Sequence, residues 1–364
     1  MSHPTPRPHF PYLDGLRALA ALYVVAHHVF LHVDTQSRLH GGFDVLRWGY
    51  LAVDFFIVLS GFCLMLPVVG REGTLRGGAL HFLWRRAHRI LPPYYAALLL
   101  SLALGLTLLS RHTGSLGDVC LPITTGAVVT HLLLVQDVTR YVTSINYALW
   151  SISVEWRIYF LFPVLVWAWR RWGGLPATAA VVVLSLALFY GLDHLVRKNF
   201  AMQFVALFAL GAWAASLAHA PVPAGWRRRI PWRLLLALCS AVLAGLILWC
   251  RRPGPGFEWV ELAIGLWSVP LLVVVSGDRA PWLTGFLSWR PLVFVGTFSY
   301  SVYLIHGPLL QTLWQYVVHP RGLGLVAEFW TLAAVAFPAV LLLAYGFFLL
   351  FERPFLNPAP SRPG

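Results

Sequence analysis

Ten runs of predominantly apolar residues, each near the length needed to cross a lipid bilayer, limit what this chain can fold into more than any other feature. A transmembrane helix needs about 20 mostly apolar residues to cover a hydrocarbon core of roughly 30 Å. Read between Gly, Pro and Arg punctuation, the runs fall at 13–33, 48–69, 90–109, 148–169, 176–193, 201–218, 234–250, 259–275, 297–318 and 326–350. A further run, 127–136, is too short to cross and is expected at the interface or as a re-entrant segment. The expected fold is an all-α integral membrane bundle of about ten helices. The spans consume about 200 residues, so the connections are short and no room remains for a second soluble domain. Residues 12–355 form one transmembrane domain, and the Pro-rich ends, 1–11 and 356–364, read as tails.

Composition agrees. Hydrophobic residues make up 59% and charged residues 11%, against roughly 25% charged in a soluble domain. That excludes a disordered chain, a disulfide scaffold and an ordinary water-soluble enzyme. The net charge of +13 could suit a nucleic-acid binder, but such a protein exposes a charged surface that this chain lacks, so no nucleic-acid partner is expected. The basic residues, all arginine except Lys198, are better read by position. With the N-terminus placed inside, 17 of the 27 fall in inner segments and 9 in outer loops, with Arg157 inside a span. Basic residues collect in cytoplasmic loops, so both termini are expected to be cytoplasmic, in a plasma or inner membrane. Most of these arginines set topology and touch anionic lipid. The first run carries His27 and His28 and lacks a small-residue cleavage site, so it is expected to stay as a span. The four cysteines show neither a disulfide framework nor metal-type spacing, and no metal or resident cofactor is expected.

Ionisable residues within spans are costly and mark candidate functional positions. In the first span, Arg17 and His28 are eleven residues apart, which on a helix puts them within about 20° of one face and about 16 Å apart in depth. Asp14 and His32 share that face, whereas His27 points away. A neutral imidazole is a natural general base near neutral pH; a buried histidine can equally serve only as a helix–helix hydrogen bond. In the second span Asp54 is a lone carboxylate among aromatics, and Ser60-Gly61 is a small pair suited to close helix approach. Arg86 and Arg89, at i and i+3 just before Pro92-Pro93, are expected at the start of the third helix. There two guanidiniums and free backbone N–H groups would make a phosphate site for a lipid head group or a nucleotide. In the fourth span Glu155 and Arg157, two residues apart, do not face each other, so each needs its own partner. In the ninth, His306 precedes a Gly307-Pro308 break and Tyr303 lies one turn away.

This set of motifs resembles the acyltransferase 3 family of membrane acyltransferases. The resemblance rests on Leu13-Asp14-Gly15-Leu16-Arg17 with His28, Asp54-Phe55-Phe56 with Ser60-Gly61-Phe62, and Arg86-x-x-Arg89 with Ile90 and Pro92. It continues through Leu149-Trp150-Ser151-Ile152-Ser153-Val154-Glu155, Tyr300-Ser301-Val302-Tyr303-Leu304-Ile305-His306 and Glu352-Arg353-Pro354, in order from about residue 12 to 355. It implies a ten-helix domain that takes an acyl group, usually acetyl, from acyl-CoA (acetyl-CoA) on the cytoplasmic side. The group passes to a hydroxyl of a glycan, a lipid-linked sugar or a small hydrophobic acceptor. By that resemblance His28 and Arg17 form the catalytic pair, and Arg86 and Arg89 seat the CoA donor. The mechanism expected of them has His28 either take the acceptor hydroxyl's proton or briefly carry the acyl group, with Glu155 or Asp54 orienting the imidazole. One departure is that Glu155 is followed by Trp156 and Arg157, where the family commonly has a second acid and a Gln. Many relatives append a soluble hydrolase-like domain; this sequence shows none, so any acceptor-side step is expected of the membrane domain or a separate protein. The rival reading is a multi-pass transporter with a proton relay through His28, Asp54, Glu155 and His306.

Overall fold

The computed structural model describes residues 9–36, 38–71, 73–196, 201–219, 229–250 and 257–356. Most of both tails, and Glu72, Arg197, Lys198, Arg227, Arg228, Arg251 and Arg252, lie outside these residues. All ten apolar runs are helical. The chain runs through α1 (Pro11–Val33), α2 (Leu51–Val69), α3 (Gly78–Leu106), α4 (Thr125–Leu132), α5 (Trp150–Trp172), α6 (Gly174–Val196) and α7 (Gln203–His219). It continues through α8 (Trp232–Cys250), α9 (Phe257–Ser276), α10 (Pro281–Leu287), α11 (Arg290–Thr297), α12 (Ser299–Leu313) and α13 (Leu325–Phe347). Among the described residues, eight helices are long and apolar enough to cross a membrane, and α11 with α12 makes a ninth span bent by 71°. The apolar α7 is shorter, at 17 residues. The fold is an all-α bundle and the chain is a multi-pass membrane protein.

The third helix departs from the sequence expectation. It begins at Gly78, behind Gly77 in the left-handed region at φ 72°, and not at Ile90. Pro92 and Pro93 therefore sit in its interior rather than in its first turn. Proline keeps a helical φ and costs the hydrogen bond to the carbonyl four residues back. The helix therefore continues through them, and the Tyr300 hydroxyl donates to the Ile90 carbonyl nearby at 3.3 Å. Arg86 and Arg89 accordingly project from the body of α3. The helix N-terminus and its free N–H groups contribute nothing to their site.

Close backbone approach organises the core. A Cβ on Gly61 of α2 would collide with the Phe208 carbonyl of α7, and one on Gly211 of α7 with the Val58 carbonyl of α2. The pair Ser60-Gly61 thus divides its work: Gly61 packs and Ser60 turns to the interior cavity. On the other side of α2, Gly15 of α1 lies against the Leu287 carbonyl and Gly296 of α11 against the Asp14 carbonyl. Small residues that let helix backbones meet are how bundles gain packing where lipid offers no hydrophobic drive between helices. The outward faces of α6 and α8 carry exposed Val183, Leu184, Leu248 and Trp249, as suits helices solvated by acyl chains.

The short run 127–136 does not cross. It forms α4, capped by Thr124 accepting from the Ala127 N–H, and then a short turn over Gln136–Val138 in which Gln136 is buried. Tyr94 of α3 donates to the His131 carbonyl at 2.8 Å, and Gln136 donates to the Leu149 carbonyl at 3.0 Å. Arg157 of α5 pairs with Asp137 at the bottom of this segment. The segment therefore folds over one end of the bundle and is pinned to α3 and α5.

Candidate active site

A cavity of about 200 Å³ opens between α1, α2, α3, α5 and the α11–α12 bend. Three arginines line it, Arg17, Arg86 and Arg89, together with three carboxylates, Asp14, Glu155 and Glu352. Every carboxylate is engaged. Asp14 accepts from Arg17 at 2.8 Å and lies 2.7 Å from His9 Nε2. Glu155 accepts from the Tyr159 hydroxyl at 2.5 Å, one helical turn on. Glu352, at the end of a π-helical turn over Phe348–Glu352, accepts from the Ser301 hydroxyl at 2.5 Å. The second Nη of Arg17 donates to Cys63 Sγ at 3.0 Å. Ser60 lies 3.4 Å from the Tyr159 hydroxyl.

Arg86 and Arg89 are different. Among the described residues neither has an ion-pair partner, and Arg86 Nε is buried with no hydrogen bond. Arg86 covers the Phe82 ring at 5.9 Å. A buried guanidinium nitrogen without a hydrogen bond is unfavourable, so Arg86, with the more exposed Arg89 beside it, makes this wall of the cavity suited to an anion. Planar forked donors suit phosphate oxygens.

His28 lies beyond this cavity, about 16 Å along α1 from Arg17. Its Nδ1 is 2.9 Å from the Val24 carbonyl and 3.2 Å from His306 Nε2, and its ring stacks on Tyr147 at 4.7 Å. His306 Nδ1 is 2.7 Å from the Tyr303 carbonyl. A carbonyl only accepts, so both Nδ1 atoms carry the proton. His306 Nε2 is then an acceptor for the His28 Nδ1–H, and His28 Nε2 keeps a lone pair. His27, His32 and His306 are buried, whereas His28 retains accessible surface. His27 turns away to the Leu46 carbonyl and Tyr50, as the helical spacing requires.

Tyr303 links the two regions. It lines the cavity, donates to or accepts from Ser151 at 2.7 Å, and its ring lies 5.7 Å from that of His306. Gly307-Pro308 does not break α12, which runs through it from Ser299 to Leu313; the bend lies earlier, between Thr297 and Ser299. Pro308 cannot donate to the Leu304 carbonyl, and Asn146 Nδ2 fills that place at 3.0 Å. This holds the residues before α5 against α12.

Of the residues singled out from sequence, Asp14, Arg17, Ser60, Arg86, Arg89, Glu155 and Tyr303 line one cavity, and His28 meets His306 beside it. Asp54 joins neither group. It is 2% exposed, its Oδ2 has no hydrogen-bond partner among the described residues, and its acidic neighbour is Glu261 of α9. Neither Asp54 nor Glu155 is a hydrogen-bond partner of His28; His306 takes that position. Glu155 and Arg157 do part, to Tyr159 and Asp137 respectively. Sequence reading passed over Tyr147, Asn146 and Tyr159. Only Tyr159 left a signal, the i, i+4 spacing to Glu155.

Among the described residues, two guanidiniums without an ion-pair partner thus face an interior cavity, and Tyr303 stands between that cavity and a histidine pair. The chain belongs to the acyltransferase domain family, acyltransferase 3, which it matches over residues 10–349. It is 25% identical over 340 residues to the "Putative peptidoglycan O-acetyltransferase YrhL" of Bacillus subtilis, covering 83% of this chain and 49% of that protein. It is 22% identical over 362 residues to the "Peptidoglycan O-acetyltransferase OatA" of Listeria monocytogenes, covering 88% and 54%. It is 23% identical over 336 residues to the "O-acetyltransferase OatA" of Staphylococcus aureus, covering 85% and 52%. The chain thus spans about half the length of the curated relatives it matches. No solved structure matches it.

Proposed function

We propose that this protein is a membrane O-acyltransferase that moves an acetyl group from acetyl-CoA to a hydroxyl of a cell-envelope glycan, with peptidoglycan the first acceptor to try. The observation that carries the reading is the cavity that gathers Arg86, Arg89, Arg17 and Tyr303, the last packed against His306, which is the partner of His28. CoA's phosphates sit on the two guanidiniums. Its thioester arm extends past Tyr303 toward the histidine pair, held against Ser151 and the Glu155–Tyr159 wall. Arg17, fixed by Asp14 and Cys63, lines the route and offers positive charge to it. The arginine-rich loops support a cytoplasmic mouth for this cavity.

At His28 the acceptor hydroxyl oxygen attacks the thioester carbonyl carbon. The new C–O bond forms as the C–S bond breaks, His28 Nε2 takes the hydroxyl proton, and CoA leaves as the thiolate, which that proton then neutralises. The imidazolium formed in passing is stabilised through its Nδ1–H by the Val24 carbonyl and His306 Nε2. His306 is therefore a positioning residue. A transporter-type relay has the geometry against it, because among His28, Asp54, Glu155 and His306 only the two histidines meet.

The test is acetyl transfer by the purified protein in nanodiscs, from acetyl-CoA to lysozyme-released peptidoglycan fragments, followed as free CoA thiol and as acetylated product. Transfer by the wild type and its loss in His28→Ala support the reading. Equal transfer by the variant removes His28 from the chemistry, and no transfer by the wild type to this or any other envelope glycan overturns the proposal.

A further inference from the structure

The interior cavity has two unlike ends, and α2 shows how far apart they lie. Phe56, Ser60 and Cys63 follow one another at i, i+4 and i+7, so one face of α2 lines the cavity wall. Cys63 stands level with Arg17, which donates to its Sγ at 3.0 Å. Phe56 lies two turns further along, about 10 Å on, and its ring meets that of Tyr303 edge to face at 6.1 Å. The wall supplied by α5 changes in the same sense. Glu155 lies beside Tyr159 and Ser60, whereas Ile152, one turn earlier, follows Ser151, which bonds Tyr303 at 2.7 Å. Val53, one turn beyond Phe56, lines the cavity too. Charge at the Arg17 level thus gives way to hydrocarbon at the Tyr303 level. Within residues 51–59 of α2, Phe56 alone is not buried. Its neighbour Phe55 turns to Trp267 of α9, and Phe56 keeps its open surface on the cavity.

An acyl-CoA has the same two-ended character, with phosphates at one end and a hydrocarbon chain at the other. We propose that the apolar end of the cavity receives the acyl chain and that Phe56 sets the longest chain the protein accepts. The proposal rests on the acyltransferase reading above and makes Phe56 a specificity-determining residue for short-chain acyl thioesters. A methylene that leaves water for apolar surface gains about fourfold in binding, whereas one that must displace a packed ring loses that gain and more. The Phe56 ring marks the boundary between the two outcomes. Space opened by shortening Phe56 stays fit for hydrocarbon, because Val53 and Ile152 beside it are apolar.

The test compares kcat/KM for acetyl-, propionyl-, butyryl- and hexanoyl-CoA, with lysozyme-released peptidoglycan fragments as acceptor and free CoA thiol and acylated product as readouts. The wild type is expected to favour acetyl-CoA over butyryl-CoA by at least about tenfold. Phe56→Ala is expected to raise butyryl and hexanoyl transfer relative to acetyl by at least about tenfold. Phe56→Leu, which keeps more of the packing, should shift the butyryl ratio the same way by less, and it carries the test if thermal unfolding shows Phe56→Ala to be misfolded. If the wild type uses hexanoyl-CoA as well as acetyl-CoA, or the variants change all four donors in parallel, the proposal is overturned while the acyltransferase reading stands. If the wild type transfers from none of the four, the reading beneath it has failed.

Discussion

The two ends of the site solve opposite problems. At the arginine end charge is abundant and nearly balanced, with each carboxylate tied to a hydroxyl or a guanidinium and only Arg86 and Arg89 left over. At the histidine end, among the described residues, there is no carboxylate within hydrogen-bonding distance of His28. The ring is held through one nitrogen by a carbonyl and a second imidazole. An anion seat works by guanidinium donors left without an ion pair, whereas a base works by keeping a lone pair free, which a nearby ion pair would compromise. With Arg86 and Arg89 on α3 and His28 on α1, two helices supply the two ends without one spoiling the other.

That division predicts a graded series of losses. The largest is expected for His28→Ala, which should lower acetyl transfer by about 10²–10⁴-fold, the range of a positioned general base, while leaving acetyl-CoA affinity near wild type. A parallel fall in affinity would show that the two ends are not separate. Next, Arg86→Ala combined with Arg89→Ala should raise the acetyl-CoA KM by about 10–100-fold, as expected for lost charge-assisted bonds. The wild-type donor KM should climb with added salt more steeply than the variant's. Binding that stays equal would leave the arginines as lipid contacts.

Below these comes packing. Gly61→Val places methyl groups on the Phe208 carbonyl, and is expected to cost about 1–3 kcal/mol of stability, read as a lower unfolding temperature in detergent. Smallest is Asp54→Asn. Because Asp54 faces Glu261 and not His28, transfer should stay within about twofold of wild type, as expected for a site outside the machinery. A loss as deep as that of His28→Ala would return Asp54 to the site and revive the relay.

Composition and run lengths alone determined the fold class and the number of apolar helices, because a chain in lipid must satisfy its backbone within each segment and has few ways to do so. The spacing from Arg17 to His28 determined that they share a face, since both lie on one uninterrupted helix. Local periodicity could go no further. It misplaced the start of α3, because a proline pair marks a first turn equally well as an interior position whose lost bonds are tolerated. It offered Asp54 and Glu155 as partners for His28, because a sequence lists carboxylates without showing which helix each one meets. Only the tertiary structure decided that His306, 278 positions away, holds the imidazole. Only it could bring Tyr147, from the segment folded over the bundle, onto the other face of that ring. Contacts between helices depend on which backbones can approach, and glycines such as Gly61, Gly211 and Gly296 set that in three dimensions.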